Sequence, residues 1–425
     1  MLRRTCRLSA AKKPIGSRRF LLGGLVAMGV LAPWPALTIE APRGWTVEQV
    51  VALALQQSAL TAAVEGEVAA EEGRAQVAAA RPNPQIAYMR EQTFGSQGTG
   101  EDYLSIGQTL DLSGRRSLLG TAGAVRARAA RAFGEGVRQQ LAADTRVRFY
   151  EVIYRRQRTA ALQQWLGRLD QALDGLAKRE RRGDAPAYER LRLEREKALA
   201  EAQLRGDEAA GEKALARLRT ALGKGDLDVT GELLPAEGPG DLAALAPSAA
   251  TRPEVVSLEL RAEAAARETQ ALARWRIPDV RLEGGWKGIS AAQTGRTDGF
   301  LLGASLLIPL WDQAAGQQKQ AAGEERALRA RRELLQVELR ANLVAAWLEA
   351  QRSRETAVQF AGRVAQNSAQ LLRIAQAGFV AGELSLLEFL DAQRGAAQDA
   401  LTLADLCHAA RLARIDLDRQ SGGAK

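Results

Sequence analysis

YLSIGQTLDLSGRR (103–116) and GFLLGASLLIPLWDQ (299–313) decide how this chain is read. Each starts as a strand-like alternation, turns at an aspartate, and runs into a long helix-forming segment. In the second, Phe300, Leu302, Ala304, Leu306 and Ile308 share one face, and Gly299, Leu301, Gly303, Ser305 and Leu307 share the other. That is the period of two that a pleated strand imposes. The stretch before each follows suit. PDVRLEGGWKG (278–288) sets Val280, Leu282 and Trp286 against Asp279, Arg281, Glu283 and Lys287, and RPNPQIAYMREQTF (81–94) more weakly sets Ile86 and Tyr88 against Gln85 and Glu91.

Working outward, the order helix, strand, strand, very long helix, turn, helix occurs twice, about 200 residues apart. The first pass has a helix over about 46–80, a long helix over about 114–182 that breaks at RRGDAP (181–186), and a return helix to 222. The second has a helix over 253–276, a long helix over about 313–380 that breaks at FVAGELS (379–385), and a return helix over 384–419. No proline falls between Pro84 and Pro186 or after Pro309, so nothing interrupts the helical hydrogen bonds. The long helix of the first half would be a rod of roughly 100 Å. Its glycines cost up to about 1 kcal/mol each, so it needs neighbours along its length. The helices before the strands and after the turn, laid end to end antiparallel to it, have nearly the required length. Stripes such as Val147, Tyr150, Ile153, Tyr154 and Val344, Trp347, Leu348 supply the contacts. The expected organisation is a signal peptide over 1–36, a first repeat over 37–222, a linker over 223–252, a second repeat over 253–420 and a tail over 421–425.

The chain has 425 residues, 5% of them aromatic, a composition that favours long helices packed through narrow seams. Its formal charge of +9 misleads: residues 1–36 hold seven basic residues and no acid, so without them 52 basic residues face 50 acids, leaving +2. Such a balance gives no electrostatic reason to invoke nucleic acid. The basic start precedes FLLGGLVAMGVLA (20–32), an apolar run with the length of a signal peptide and too short to span a bilayer. Removal of this segment, which includes Cys6, leaves Cys407 without an intrachain disulfide partner.

Strands of about ten residues with one apolar and one polar face match the length that crosses an outer membrane. Tyr88, Phe94, Tyr103, Trp286 and Phe300 are candidate interfacial anchors. Two small soluble hairpins are the other reading of the same alternation. Four strands cannot close a barrel, and open edges are not tolerated in lipid. Two copies would give eight strands and a filled interior, whereas three give twelve and a lumen.

The junctions SIGQTLDLSGRR (105–116) and ASLLIPLWDQAAG (304–316), with GELSLLEFLDAQ (382–393), resemble the TolC-type outer-membrane efflux family, the outer membrane factors, over about 45–420. IPLWDQAAG (308–316) and RIPDV (276–280) are most similar to its heavy-metal, CzcC-type branch. The resemblance implies a mainly α fold with a small transmembrane β part. Long antiparallel helical hairpins form an α-barrel, joined to a four-strand share of a 12-stranded trimeric β-barrel. It further implies a bacterial outer-membrane location with a large periplasmic portion. The implied partners are two further copies of the chain, a periplasmic membrane-fusion adaptor, an inner-membrane pump of the RND type, and outer-membrane lipid. Carried over by residue, the periplasmic tips that meet the adaptor are Arg182, Gly183 and Asp184, and Val380, Gly382, Glu383, Leu384 and Ser385, with glycine suited to the tight turn. Glu388 and Asp391 match the acids that ring the family's periplasmic aperture; Glu189 and Arg192 are their counterparts in the first half, with Arg192 positioned to pair with Asp391. A solvated helix face is the plain alternative for these charges. A type I secretion exit shares the architecture. A soluble periplasmic coiled-coil adaptor or scaffold is a third reading, although an adaptor usually carries one helical hairpin, not two.

No catalysis is expected. His408, the sole histidine, adjoins Cys407 on a helix, where neighbours point roughly 100° apart and chelate poorly. No nucleophile-base arrangement or phosphate loop is present. GSQGTGE (95–101) and SAAQTGRTDG (290–299) read as strand-connecting loops. No metal centre or cofactor is expected, and transported ions would be cargo.

Overall fold

The computed structural model describes residues 44–95, 98–182, 186–233, 236–291 and 295–423. The expected signal segment 1–36 lies outside them. The elements run α1 (Val47–Leu55), α2 (Ser58–Ala79), β1 (Gln85–Gln92), β2 (Thr99–Leu110), α3 (Arg115–Glu180), α4 (Ala187–Leu222), α5 (Leu242–Leu245), α6 (Pro253–Ala273), β3 (Val280–Ala291), β4 (Gly295–Leu306), α7 (Ala315–Phe360), α8 (Gln366–Ala381) and α9 (Leu386–Gln420). This is the mainly helical fold with a small antiparallel sheet that the sequence predicts.

At 66 residues, α3 is the axis of the helical layer and extends about 100 Å. Its buried residues Leu162, Trp165, Leu169, Ala172 and Leu176 recur at the three-and-four spacing of one helical face. They join Leu193 of α4 and Phe379, Leu386, Phe389 and Leu390 of α8 and α9 in one apolar cluster. Burying each such leucine contributes about 1.5–3 kcal/mol, which offsets the ordering of so long a rod. Along α3, α2 packs on the first part and α4 on the remainder. The glycines of the first part have a packing reason: a Cβ on Gly120 would lie 2.7 Å from Ala79 Cβ, and one on Gly123 would lie 2.5 Å from Ala75 Cβ. Close approach at this seam requires residues without side chains.

Several expectations need correction. The helix over 46–80 is two helices bent by 45°. Gln57 is extended, with ψ 124, and its Nε2 donates to the carbonyl of Ala221 at 2.5 Å, so α1 docks over the end of α4 while α2 follows α3. The long helix of the second half is interrupted by a π-helical turn at Ala361–Ala365. After Ala273, α6 tightens into a 3₁₀ turn at Arg274–Arg276. The two halves also interleave, because α6 and α9 pack on α3 as well as on α7. The intervening 223–252 segment adds Leu227, Val229, Leu233 and Ala236 to a buried cluster around Phe149 and Ile153.

The strand pairs do not stay separate. They form one antiparallel sheet in the order β1-β2-β3-β4, with β2 paired to β3 from Thr99↔Ala291 to Leu110↔Val280. Much of the two presumed loops is strand: β2 starts at Thr99, β3 continues to Ala291, and β4 begins at Gly295, whose φ of 75 suits the turn. At the base, Arg115 pairs with Asp279 and stacks 4.8 Å from the Trp275 ring, and Arg274 donates to the Ser113 carbonyl at 3.1 Å. These contacts tie the strand-to-helix junctions of the two halves together.

Candidate functional site

The register sorts the sheet into two chemically distinct faces. One carries Ile86, Ile106 and Leu302 in one row, Tyr88, Leu104, Trp286 and Phe300 in the next, and Leu110, Val280 and Leu306 at the helix end. Phe300 is 81% exposed, Leu302 80% and Ile86 76%. From Leu104 to Leu110 this apolar band is about 20 Å tall at the strand rise, near the roughly 25 Å band of an outer-membrane barrel. Beyond the aromatic row the same face becomes charged. Arg90 lies 3.4 Å from Asp102, the Tyr88 hydroxyl donates to Asp102 at 2.7 Å, and Arg296 sits 5.3 Å from the Trp286 ring. Trp311, 94% exposed, lies just past the opposite end. Such a sequence of aromatic, apolar and aromatic suits a bilayer with its two interfaces.

The opposite face is polar and satisfies itself. Lys287 pairs with Glu101 at 2.7 Å, Ser105 Oγ donates to Glu283 at 2.5 Å, and Arg281 donates to Gln85. Tyr103 belongs here, beside Lys287 in register, with its hydroxyl donating to Glu101. It is therefore not an interfacial anchor of the apolar face. Among the described residues, the outer edges of β1 and β4 have no strand partner. The helical layer is open on the same two flanks: α2 and α4 on one side expose Val77, Leu191 and Leu199, and α7 and α8 on the other expose Leu334, Val337, Leu371 and Ile374.

At the far end, the second helix-to-helix turn is compact. Gly382 has φ 80, and the amides of Glu383 and Leu384 both donate to the Gly378 carbonyl, at 2.8 and 3.2 Å. Leu384 covers Gly378, where a Cβ would come within 2.8 Å of its Cδ1. Val380 and Glu383 are exposed. Ser385 caps α9: its hydroxyl accepts from the Glu388 amide, while the Glu388 carboxylate accepts from the Ser385 amide at 2.9 Å and hydroxyl at 2.8 Å. Those donors hold the Glu388 carboxyl below its usual range. In the first turn, Arg182 donates its amide to the Arg179 carbonyl, and Gly183 and Asp184 lie outside the described residues.

Glu388 and Asp391 are one turn apart on the exposed side of α9, opposite buried Leu386, Phe389 and Leu390. Glu189 and Arg192 are half-buried on α4. Within one chain, Asp391 and Arg192 form no ion pair among the described residues. The charge that joins the hairpins is a different one. Arg394 of α9 reaches Glu196 of α4 at 2.5 Å, and Arg158 of α3 bridges Asp207 at 3.1 Å and Asp405 at 2.7 Å. Buried Glu196 and Asp207 were hidden in the sequence among many arginine–glutamate helix faces; only their place in the buried-residue spacing distinguishes them. His408 stacks on Tyr154 with centroids 4.2 Å apart, and desolvation pushes its pKa down. Neighbouring Cys407 is buried.

No protein-family model matches the sequence, nor does any curated protein. Solved structures do match the fold. The outer membrane protein VceC of Vibrio cholerae superposes with a TM-score of 0.71 at 18% identity, covering 89% of this chain and 96% of that one. CusC, described in connection with transmembrane channel formation, gives 0.72 at 17% identity over 91% and 96%. The open state of the MtrE outer membrane channel of Neisseria gonorrhoeae gives 0.70 at 15% identity over 89% of each chain. The TolC-type architecture expected from the sequence is thus the observed fold.

Proposed function

We propose that this chain is the outer-membrane channel component of a tripartite efflux system. Three copies join edge to edge into a 12-stranded barrel continuous with a helical tunnel in the periplasm. The observation that carries the reading is the sheet: an exposed apolar face with aromatic and charged borders, on a ribbon whose two edges both lack partners among the described residues. Neither water nor isolated lipid satisfies that arrangement, because apolar area favours lipid while unpaired edge amides do not. Head-to-tail association meets both demands. Each β1 edge with its α2 and α4 flank meets the β4 edge of the next copy with its α7 and α8 flank, and a rotation of one third closes the ring. The likeness to outer-membrane channels supports the same conclusion.

The polar sheet face then lines the lumen, and the turns at Arg182–Asp184 and Val380–Ser385 are the surfaces an adaptor engages, with an RND-type pump supplying the energy. Glu388 and Asp391, three of each, form the negatively charged aperture and favour cations, with Glu189 and Arg192 beside it. Heavy-metal cations are the proposed cargo. Purified mature protein in planar bilayers tests the whole: the expected result is a trimer with discrete single-channel conductance. A stable monomer that needs no detergent overturns it. Glu388→Ala with Asp391→Ala is expected to raise conductance or reduce cation preference, and an unchanged channel removes these residues from the aperture.

A further inference from the structure

Near the second turn, α3, α8 and α9 enclose a cavity of about 220 Å³ whose chemistry the channel reading does not use. Its apolar wall is the stacked pair Phe379 and Phe389, with centroids 4.5 Å apart, both buried. Its polar wall has two arginines, Arg168 and Arg179, and no carboxylate among the lining residues. Arg168 donates Nε–H to Gln393 Oε1 at 2.7 Å and has no acidic partner among the described residues. Burial alone pulls its guanidinium below the ordinary value, since no neighbouring charge compensates the lost water. Arg179 lies over the Phe379 ring at 5.9 Å and has no ion pair among the described residues. Gln393 is 1% exposed, and the bond from Arg168 fixes its amide orientation, which leaves Nε2 without an acceptor. Two arginines of α3 and α9 that do meet acids show the contrast: Arg158 with Asp207 and Asp405, and Arg394 with Glu196. This corner combines aromatic walls with two guanidiniums, and the polar residues that complete its lining, Gln171, Gln376 and Gln393, are neutral amides. An unpaired, half-buried guanidinium is costly unless an anion completes it.

We propose that this cavity binds a small organic carboxylate, its apolar body against Phe379 and Phe389 and its carboxylate on the Arg168 guanidinium, with Arg179 at the mouth. The volume lies below the roughly 300–1,000 Å³ of drug-sized pockets, so the ligand is compact, such as a single ring bearing one acid group. Its occupancy joins α3 to α8 and α9 next to the turn. The binding claim stands apart from the channel reading, since it requires only these three helices in their observed packing.

The test uses the assembled mature protein and fluorine NMR of 4-fluorobenzoate, with 4-fluorobenzamide as the uncharged counterpart of the same shape. The expected result is saturable broadening by 4-fluorobenzoate, at least tenfold weaker for the amide and at least tenfold weaker for Arg168→Gln. Arg168→Lys, which keeps the charge but not the planar fork, is expected to fall between. Thermal unfolding of each variant checks that the helices remain packed. Absence of saturable binding, equal binding of acid and amide, or binding indifferent to Arg168→Gln in a folded variant each overturns the proposal.

Discussion

Replacing Gly123 by alanine tests the physical reason for glycine inside α3. In an ordinary helix interior this change gains about 1 kcal/mol. Here the new Cβ would sit 2.5 Å from Ala75 Cβ and 2.7 Å from Ala75 Cα, against about 3.5–4.0 Å for a comfortable carbon contact. The nearest atoms include backbone, so no rotamer change relieves the overlap, and α2 must move by about 1 Å. Overpacking of this kind costs about 1–3 kcal/mol, and the net effect is a loss of roughly 1 kcal/mol. Gly206 on α4 supplies the control, because nothing lies within 4 Å of its Cβ position; Gly206→Ala is expected to gain up to about 1 kcal/mol. Thermal unfolding of the assembled protein in detergent, followed by circular dichroism, should move the two midpoints in opposite directions by roughly 2 °C each. Gly123→Val should fall further. If Gly123→Ala unfolds at or above the wild-type midpoint, the α2–α3 seam is not the reason for that glycine.

Three further outcomes follow from the same geometry. Leu302→Arg places a charge in the apolar band and is expected to cost about 2–4 kcal/mol of membrane stability, whereas Ser305→Arg on the polar face leaves it nearly unchanged; vesicle insertion assays read the contrast, and equal behaviour contradicts the assignment of faces. His408 has a depressed pKa in the folded chain, so the unfolded chain binds the proton first as pH drops. Its contribution is fully present above the ordinary value of 6.5 and is lost as pH falls through the folded pKa. His408→Phe, which retains a ring against Tyr154, should flatten this acid-side decline in unfolding midpoint; parallel wild-type and variant curves exclude the effect. Ser385→Ala removes one arm of the α9 cap at a cost of about 1 kcal/mol, and amide exchange at Glu388 should accelerate, while unchanged protection there argues against the cap.

The architecture was legible because long, proline-free segments and period-two alternation depend only on neighbouring residues. The two faces of β4 and of β3 could be assigned from Phe300, Leu302, Arg281 and Glu283 alone. What escaped was set by distant partners. Tyr103 alternates correctly, yet its face is the polar one because Lys287 and Glu101 lie beside it. Gln57 gives no sign of a helix break until the carbonyl of Ala221 accepts its amide. The joining of β2 to β3, and the packing of α6 and α9 on α3, connect residues more than a hundred positions apart. Glu388 was legible as an acid after a turn; its engagement with Ser385 is also written locally, as serine followed by glutamate three residues later.

The π turn at Ala361–Ala365 has a consequence for how the second half could be edited. A π turn holds one residue more than an α-helix needs for the same advance, so it resets the phase of everything after it by about 100°. All of α8, with Phe379 stacked on Phe389, takes its phase relative to α7 from that offset. Deleting one residue there would yield a straighter rod, yet it would aim the last four turns of α8 at the wrong neighbours. The irregularity thus serves as a splice, letting the sheet-end and turn-end portions of one rod each keep their own alignment.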